Sequence, residues 1–137
     1  MRRWFIIPHA RDRAHWPFLR NGNAFLHNFN RSDEARALHD HPWAHASILL
    51  WGRYWEHSPD DSKKLRCPGM IVSRPAEAAH RVELLLDEEG REKPVWTIFL
   101  TGTKQRDWGF LCPKGWRHNK EFNDPASPGE TGRGCAD

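Results

Sequence analysis

The 137-residue chain has no apolar run near the roughly 20 residues that a membrane helix needs. Its early apolar stretch, Trp4-Phe5-Ile6-Ile7, is too short for the hydrophobic region of a secretory signal. Cysteine is scarce: Cys67, Cys112 and Cys135, with no CxxC pair. An odd count without metal or redox spacing argues against a disulfide framework and for a reducing compartment. A soluble cytoplasmic protein is expected, with no membrane partner. Net charge is only +3, from 21 basic and 18 acidic residues, and the basic residues form no run. A nucleic-acid surface needs a concentrated basic stripe, so no nucleic-acid partner is expected, whereas small anionic molecules remain plausible. No internal repeat and no long amphipathic helix is evident.

What is present is aromatic. Hydrophobic content is a modest 38%, but there are 8 Trp, so much of the core must be built from aromatic rings. The length fits one domain that buries about two-thirds of its unfolded surface. Residues 1–22 mix Arg, His and Trp with Pro8 and Pro17 and read as an N-terminal arm that packs aromatics on the domain. From Asn23 the pattern changes: Phe25, His27 and Phe29 alternate with Leu26 and Asn28, a strand signal. Ala46–Trp51 and Arg53–His57 read as two strands folded about Gly52. Ser58–Lys64 reads as an exposed loop, and Met70–Val72, His80–Leu86, Val95–Thr101 and Arg106–Cys112 as further strands. Short strands separated by Gly, Pro and Asp signals predict an all-β barrel or sandwich over 23–122. The Pro-, Gly- and Ser-rich tail, 123–137, is predicted to be disordered.

The chemistry gathers on histidine. His39 and His41 stand two apart, and residues i and i+2 of a strand point to one face. Two imidazoles at that spacing can converge on one transition-metal ion, because a neutral ring nitrogen donates without burying net charge. After three further residues comes His45, and after six more Gly52. Farther on, Gly69 precedes Pro75 with five residues between, and Pro75-Ala76-Glu77-Ala78-Ala79-His80 follows.

These two spacings resemble the paired motifs of the cupin superfamily over about residues 23–112. The stretch His39-Asp40-His41-Pro42-Trp43, with Gly52-x-Tyr54-x-Glu56 and His80-Arg81-Val82, is similar to a group of short bacterial and phage cupins. Asp33 stands where the first motif begins with Gly, His45 at its Glu position, Glu77 at the second motif's inner Gly and Leu84 at its Asn. The resemblance implies an antiparallel double-stranded β-helix, a jelly-roll barrel. It also implies a divalent transition metal (Fe, Zn, Ni or Mn) on His39, His41 and His80, with His45 a candidate fourth ligand, a small-molecule ligand in the barrel, and a homodimer. By the same resemblance the expected reaction is Fe(II)-type dioxygenation, with isomerase or lyase chemistry behind it; the alternative is a non-catalytic module that binds or senses a small molecule.

Glu56 rivals His45 for the fourth position. It shares a strand face with Tyr54, and a carboxylate in the barrel is either a ligand or a base of raised pKa, so Glu56 and Tyr54 are the candidate proton-handling pair. Arg74, beside Pro75 near the mouth, and Trp108 are the candidate substrate contacts. Trp43, Trp51, Trp96 and Phe110 read more simply as core. His9, His15, His27, His57 and His118 read as surface or structural histidines. The plain alternative for the central histidines is a hydrogen-bonded cluster in a barrel without metal.

Overall fold

A computed structural model of the protein describes residues 1–6, 22–124 and 132–136. In chain order its elements are β1 (Arg2–Phe5), β2 (Asn23–Phe29), β3 (Leu38–His39), β4 (His45–Trp51), β5 (Tyr54–His57), β6 (Lys63–Arg66), β7 (Ile71–Arg74), β8 (Arg81–Leu84), β9 (Val95–Thr101), β10 (Gly109–Cys112), β11 (Gly115–His118) and the short helix α1 (Asn119–Phe122). A five-stranded sheet runs β1-β2-β9-β4-β7, and two three-stranded sheets run β11-β10-β3 and β6-β5-β8. Every pairing is antiparallel. The expected all-β jelly-roll architecture is therefore present.

The alternation expected of residues 23–29 sets the two faces of the large sheet. Phe25, His27 and Phe29 point inward, in register with Phe99, Thr97 and Val95 of β9. Leu49, Tyr54, Val82, Leu84 and Val95 form the main apolar cluster, with Phe29 against it. Burying side chains of this size contributes roughly 1.5–3 kcal/mol each before entropy is set against it. On the outer face one apolar row crosses all five strands: Trp4, Leu26, Ile98, Ile48 and Ile71. Gly52 turns β4 into β5 at φ +86°, and a Cβ there would lie 2.7 Å from the Pro94 carbonyl oxygen. That motif position therefore excludes a side chain on two grounds.

Several sequence expectations are corrected. β6 begins within the expected Ser58–Lys64 loop, because pairing with β5 stabilises a segment whose charged residues gave no strand signal. The N-terminal segment contributes an edge strand, β1, and Trp4 stacks on Trp96 with ring centroids 5.6 Å apart. Pro8, Pro17, His9 and His15 lie outside the described residues. Residues 132–136 of the tail fold back on the domain. Cys112 and Cys135 form a disulfide, Gly134 N donates to Phe122 O at 3.0 Å, and Arg117 donates to the Gly134 and Ala136 carbonyls. The expectation of no disulfide fails because the two cysteines are 23 residues apart and meet only when the tail folds back on β10. The argument for a reducing compartment falls with it. Among the described residues, no helix is long and apolar enough to cross a membrane.

Cys135→Ser is expected to lower the unfolding free energy by about 2–4 kcal/mol, the usual worth of closing a loop of this length. Urea midpoints check this: wild-type protein in excess reductant should match the variant, and an unchanged midpoint in both would refute it.

Candidate metal centre

Two backbone hydrogen bonds join the histidine motifs. His39 N donates to His80 O and His80 N to His39 O, both at 2.9 Å, an isolated antiparallel bridge. β3 ends at His39, yet His41 N still donates to Ala76 O at 3.0 Å and Asp40 N to Gly109 O at 3.1 Å. The extended alternation therefore continues past the strand. His39 and His41 fall on the inner side, and Asp40 on the other. Asp40 is 4% exposed and accepts from Gly109 N at 2.8 Å, Trp116 Nε1 at 2.9 Å and the Arg106 guanidinium. It ties β10 and β11 to the motif.

The result is convergence. One ring nitrogen each of His39, His41 and His80 lies within 4.8 Å of the others. His41 Nε2 and His80 Nε2 are 2.9 Å apart. Two imidazoles sharing a metal at about 2.0–2.1 Å each would hold their nitrogens about 3 Å apart, so the pair already has the separation a metal imposes. Burial lowers the pKa of His39, and it pushes His41 to about 2 with help from neighbouring His45, His39 and His80. Neutral rings of this kind are donors to a cation. His45 packs on His41 with centroids 4.2 Å apart but lies outside the converging group, and its Nδ1 is buried without a partner among the described residues. Burial, then the charge of His80, pushes it down to about 4.

Glu56 explains how His80 is aimed. It is 2% exposed and shares the inward face of β5 with Tyr54. Its carboxylate accepts from Arg66 Nε at 2.6 Å, Arg74 Nη2 at 3.3 Å and His80 Nδ1 at 3.1 Å. With Nδ1 occupied, His80 presents Nε2 to the centre. A carboxylate behind a ligating histidine fixes its tautomer and strengthens it as a donor. The expected raised pKa of Glu56 is corrected: burial alone would raise it, but the bonds from His80 and Arg66 prevail and hold it at about 2. Tyr54 is buried, and desolvation followed by the Glu56 charge pushes its hydroxyl up to about 12, so it donates a proton poorly. Arg74 faces Glu56 as well as a shallow depression of about 400 Å³ that it lines with Asp40, Glu77 and Trp116, and that contains none of the three histidines. Trp108 packs on Phe110 at 5.7 Å and lies 6.4 Å from the His39 ring.

A smaller cavity of about 140 Å³ opens directly on the three histidines, and Arg3, His27, Phe29, Trp43, Val82 and Phe99 are among its other walls. His27, expected to be a surface or satisfied histidine, is 2% exposed, and neither ring nitrogen has a partner among the described residues. Its place between Phe25 and Phe29 on the inward face was the available signal. Burying such a group unpaired costs about 1–3 kcal/mol. Asp40, Arg66 and Arg3 were likewise missed, the last two because they looked like scattered surface charge.

No family model matches the chain by sequence, and no curated protein does. Solved structures do match in fold. A cupin-like protein from Thermotoga maritima is 14% identical, with 93% of this chain and 85% of that one covered and a TM-score of 0.54. A cupin-2 domain protein from Shewanella frigidimarina is 10% identical, over 74% of this chain and 79% of that one, at 0.53. The DMSP lyase DddQ from Ruegeria pomeroyi is 16% identical, over 69% of this chain but 45% of that one, at 0.51. The antiparallel β-barrel has the fold of these cupin proteins.

Two outcomes follow from this geometry. Glu56→Gln is expected to weaken metal affinity about 10–100-fold in a chelator competition, whereas His39→Ala should abolish binding; equal affinity of Glu56→Gln and wild type would refute the positioning role. His27 has a native pKa pushed down to about 4, chiefly by burial and then by Arg3, against an ordinary value of 6.5. The unfolded chain then takes up a proton that the native state refuses, so stability falls as pH drops from about 6.5 to 4. The fall in urea midpoint across that window should be smaller in His27→Phe, and parallel curves would refute it.

Proposed function

We propose that this protein is a metal-dependent enzyme acting on a small substrate inside the barrel. The observation that carries the reading is the convergence of His39, His41 and His80 beside a cavity. Three such donors suit Fe, Zn, Ni or Mn and leave coordination positions free for other ligands. A bound metal would supply Lewis-acid polarisation and, with iron, a place for dioxygen. His80, oriented by Glu56, and His41 would hold it, and His39 would complete the set. The bonds from His80 and Arg66 keep Glu56 ionised, so it would serve as a fixed acceptor and not as a proton shuttle. Tyr54 would orient substrate by its hydroxyl. His45 would take a fourth position or close one side of the centre. Dioxygenation is the leading reaction, with lyase chemistry second, since one protein of similar fold is a DMSP lyase.

Metal analysis of protein purified without added metal tests the reading. About one equivalent per chain, with a rise in melting temperature on adding Fe, Zn, Ni or Mn, is expected. Less than about a tenth of an equivalent and no stabilisation would sink it. A metal-replete protein with no oxygen consumption or product across a substrate panel would favour the non-catalytic binding module instead.

For assembly, we propose a homodimer through the outer face of the five-stranded sheet, where the apolar row ends at Ile71, 69% exposed. An apolar row with exposed ends at Trp4 and Ile71 would be covered by a second copy, which offers the same surface. Ile71→Arg should shift the mass measured by light scattering from dimer to monomer; a monomeric wild type would refute it.

A further inference from the structure

The cavity beside the histidines carries polar groups that the metal reading leaves unused. Arg3 of β1 stands directly opposite His27 of β2 in the antiparallel register, so both side chains lie on the inward face. The Arg3 guanidinium rests over the Phe25 ring, 4.7 Å from its centroid, and makes no ion pair among the described residues. His27 opposes Thr97 on its other side, and the Thr97 hydroxyl is also buried without a partner among the described residues. Trp43 lines the same cavity with its indole N–H buried and unpartnered among the described residues. A cation at the mouth, a donor-only indole and an imidazole with one donor and one acceptor make a set that favours an anion carrying a second polar group, while the carboxylate on the wall, Asp33, is engaged by Val82 N at 2.7 Å. The walls between them, Phe29, Val82 and Phe99, are apolar and suit carbon rather than water. At about 140 Å³ the cavity is smaller than the roughly 300–1,000 Å³ of drug-sized ligand sites, which suits a small ligand.

We propose that this cavity binds a short-chain carboxylate, its carboxylate met by Arg3 and the Trp43 indole N–H, and its second oxygen function by His27. The inference rests on the metal reading only for the direction in which the ligand faces the histidines; the anion site itself is built from residues outside the triad. Arg3 sets the preference for charge, Trp43 orients the carboxylate, and His27 selects ligands that carry a hydroxyl or keto group.

The test uses the full chain, with and without added Zn(II), titrated calorimetrically with acetate, lactate and pyruvate, with the neutral analogues acetamide and lactamide, and with inorganic phosphate. Lactate and pyruvate are expected to bind more tightly than acetate, and lactamide about tenfold or more weakly than lactate. Arg3→Gln should erase the preference for lactate over lactamide. His27→Gln should erase the preference for lactate over acetate, and Trp43→Phe should weaken all three carboxylates about three- to tenfold. Circular dichroism and metal content verify that each variant is folded and unchanged at the triad, and Arg3→Gln, on an edge strand, remains informative where a core variant fails to fold. No binding of any carboxylate, equal binding of lactate and lactamide, tighter binding of phosphate, or wild-type behaviour of Arg3→Gln would overturn the assignment. A protein that holds no Zn(II) yet prefers lactate over lactamide would refute the metal reading and leave this site standing.

Discussion

The paired backbone hydrogen bonds between His39 and His80 are the constraint on which the rest depends. They place two residues that are far apart in sequence directly opposite each other, so their side chains start from adjacent Cα atoms. The ring positions then need little further specification. His41 follows by alternation, held through its own amide bond to Ala76, and the three rings converge on the inner side. Antiparallel pairing at this point joins the β6-β5-β8 sheet, which continues from His80, to the β11-β10-β3 sheet, which ends at His39.

Charge around the centre is arranged in layers. Imidazoles occupy the inside, the buried carboxylate of Glu56 stands behind them, and that of Asp40 faces away. The hydrogen bonds from His80 and Arg66 hold the Glu56 carboxylate ionised against the cost of burial. A lone buried carboxylate would take up a proton and lose its grip on His80. The bonds from His80 and the Arg66 guanidinium prevent this, so a carboxylate held at the barrel wall fixes the tautomer of a ring inside it. The same geometry shifts Glu56 from chemistry to support: an acceptor engaged by three donors has little capacity left for a substrate.

The barrel and its three histidines were legible in the sequence because both rest on short-range rules. Alternation over Phe25, His27 and Phe29 gives a strand and its inward face, and the spacings His39-x-His41 and Pro75 to His80 carry the motif resemblance. What was not legible depends on contacts between distant segments. The pairing of Cys112 with Cys135 requires the tail to return, and nothing local to either cysteine signals that. Arg66 reads as surface charge until β6 pairs with β5 and turns it toward Glu56. His27 reads as a satisfied residue until its surroundings prove to be Phe25, Phe29 and Phe99, none of which can accept or donate a conventional hydrogen bond.

The tripeptide His39-Asp40-His41 serves two masters. Its outer members look into the barrel, while Asp40 looks away and fastens β10 and β11 through Gly109, Trp116 and Arg106. A library scored only by metal content would find three consecutive intolerant positions and merge them into one epitope. Scored by abundance as well, Asp40 should separate from its neighbours: its replacements would deplete the folded protein, whereas those at His39 and His41 would leave folded chains without the converging rings. Sequence drift among descendants of this chain should show the same division, with Asp40 changing only in concert with its three donors and the two histidines changing only together with the centre they build.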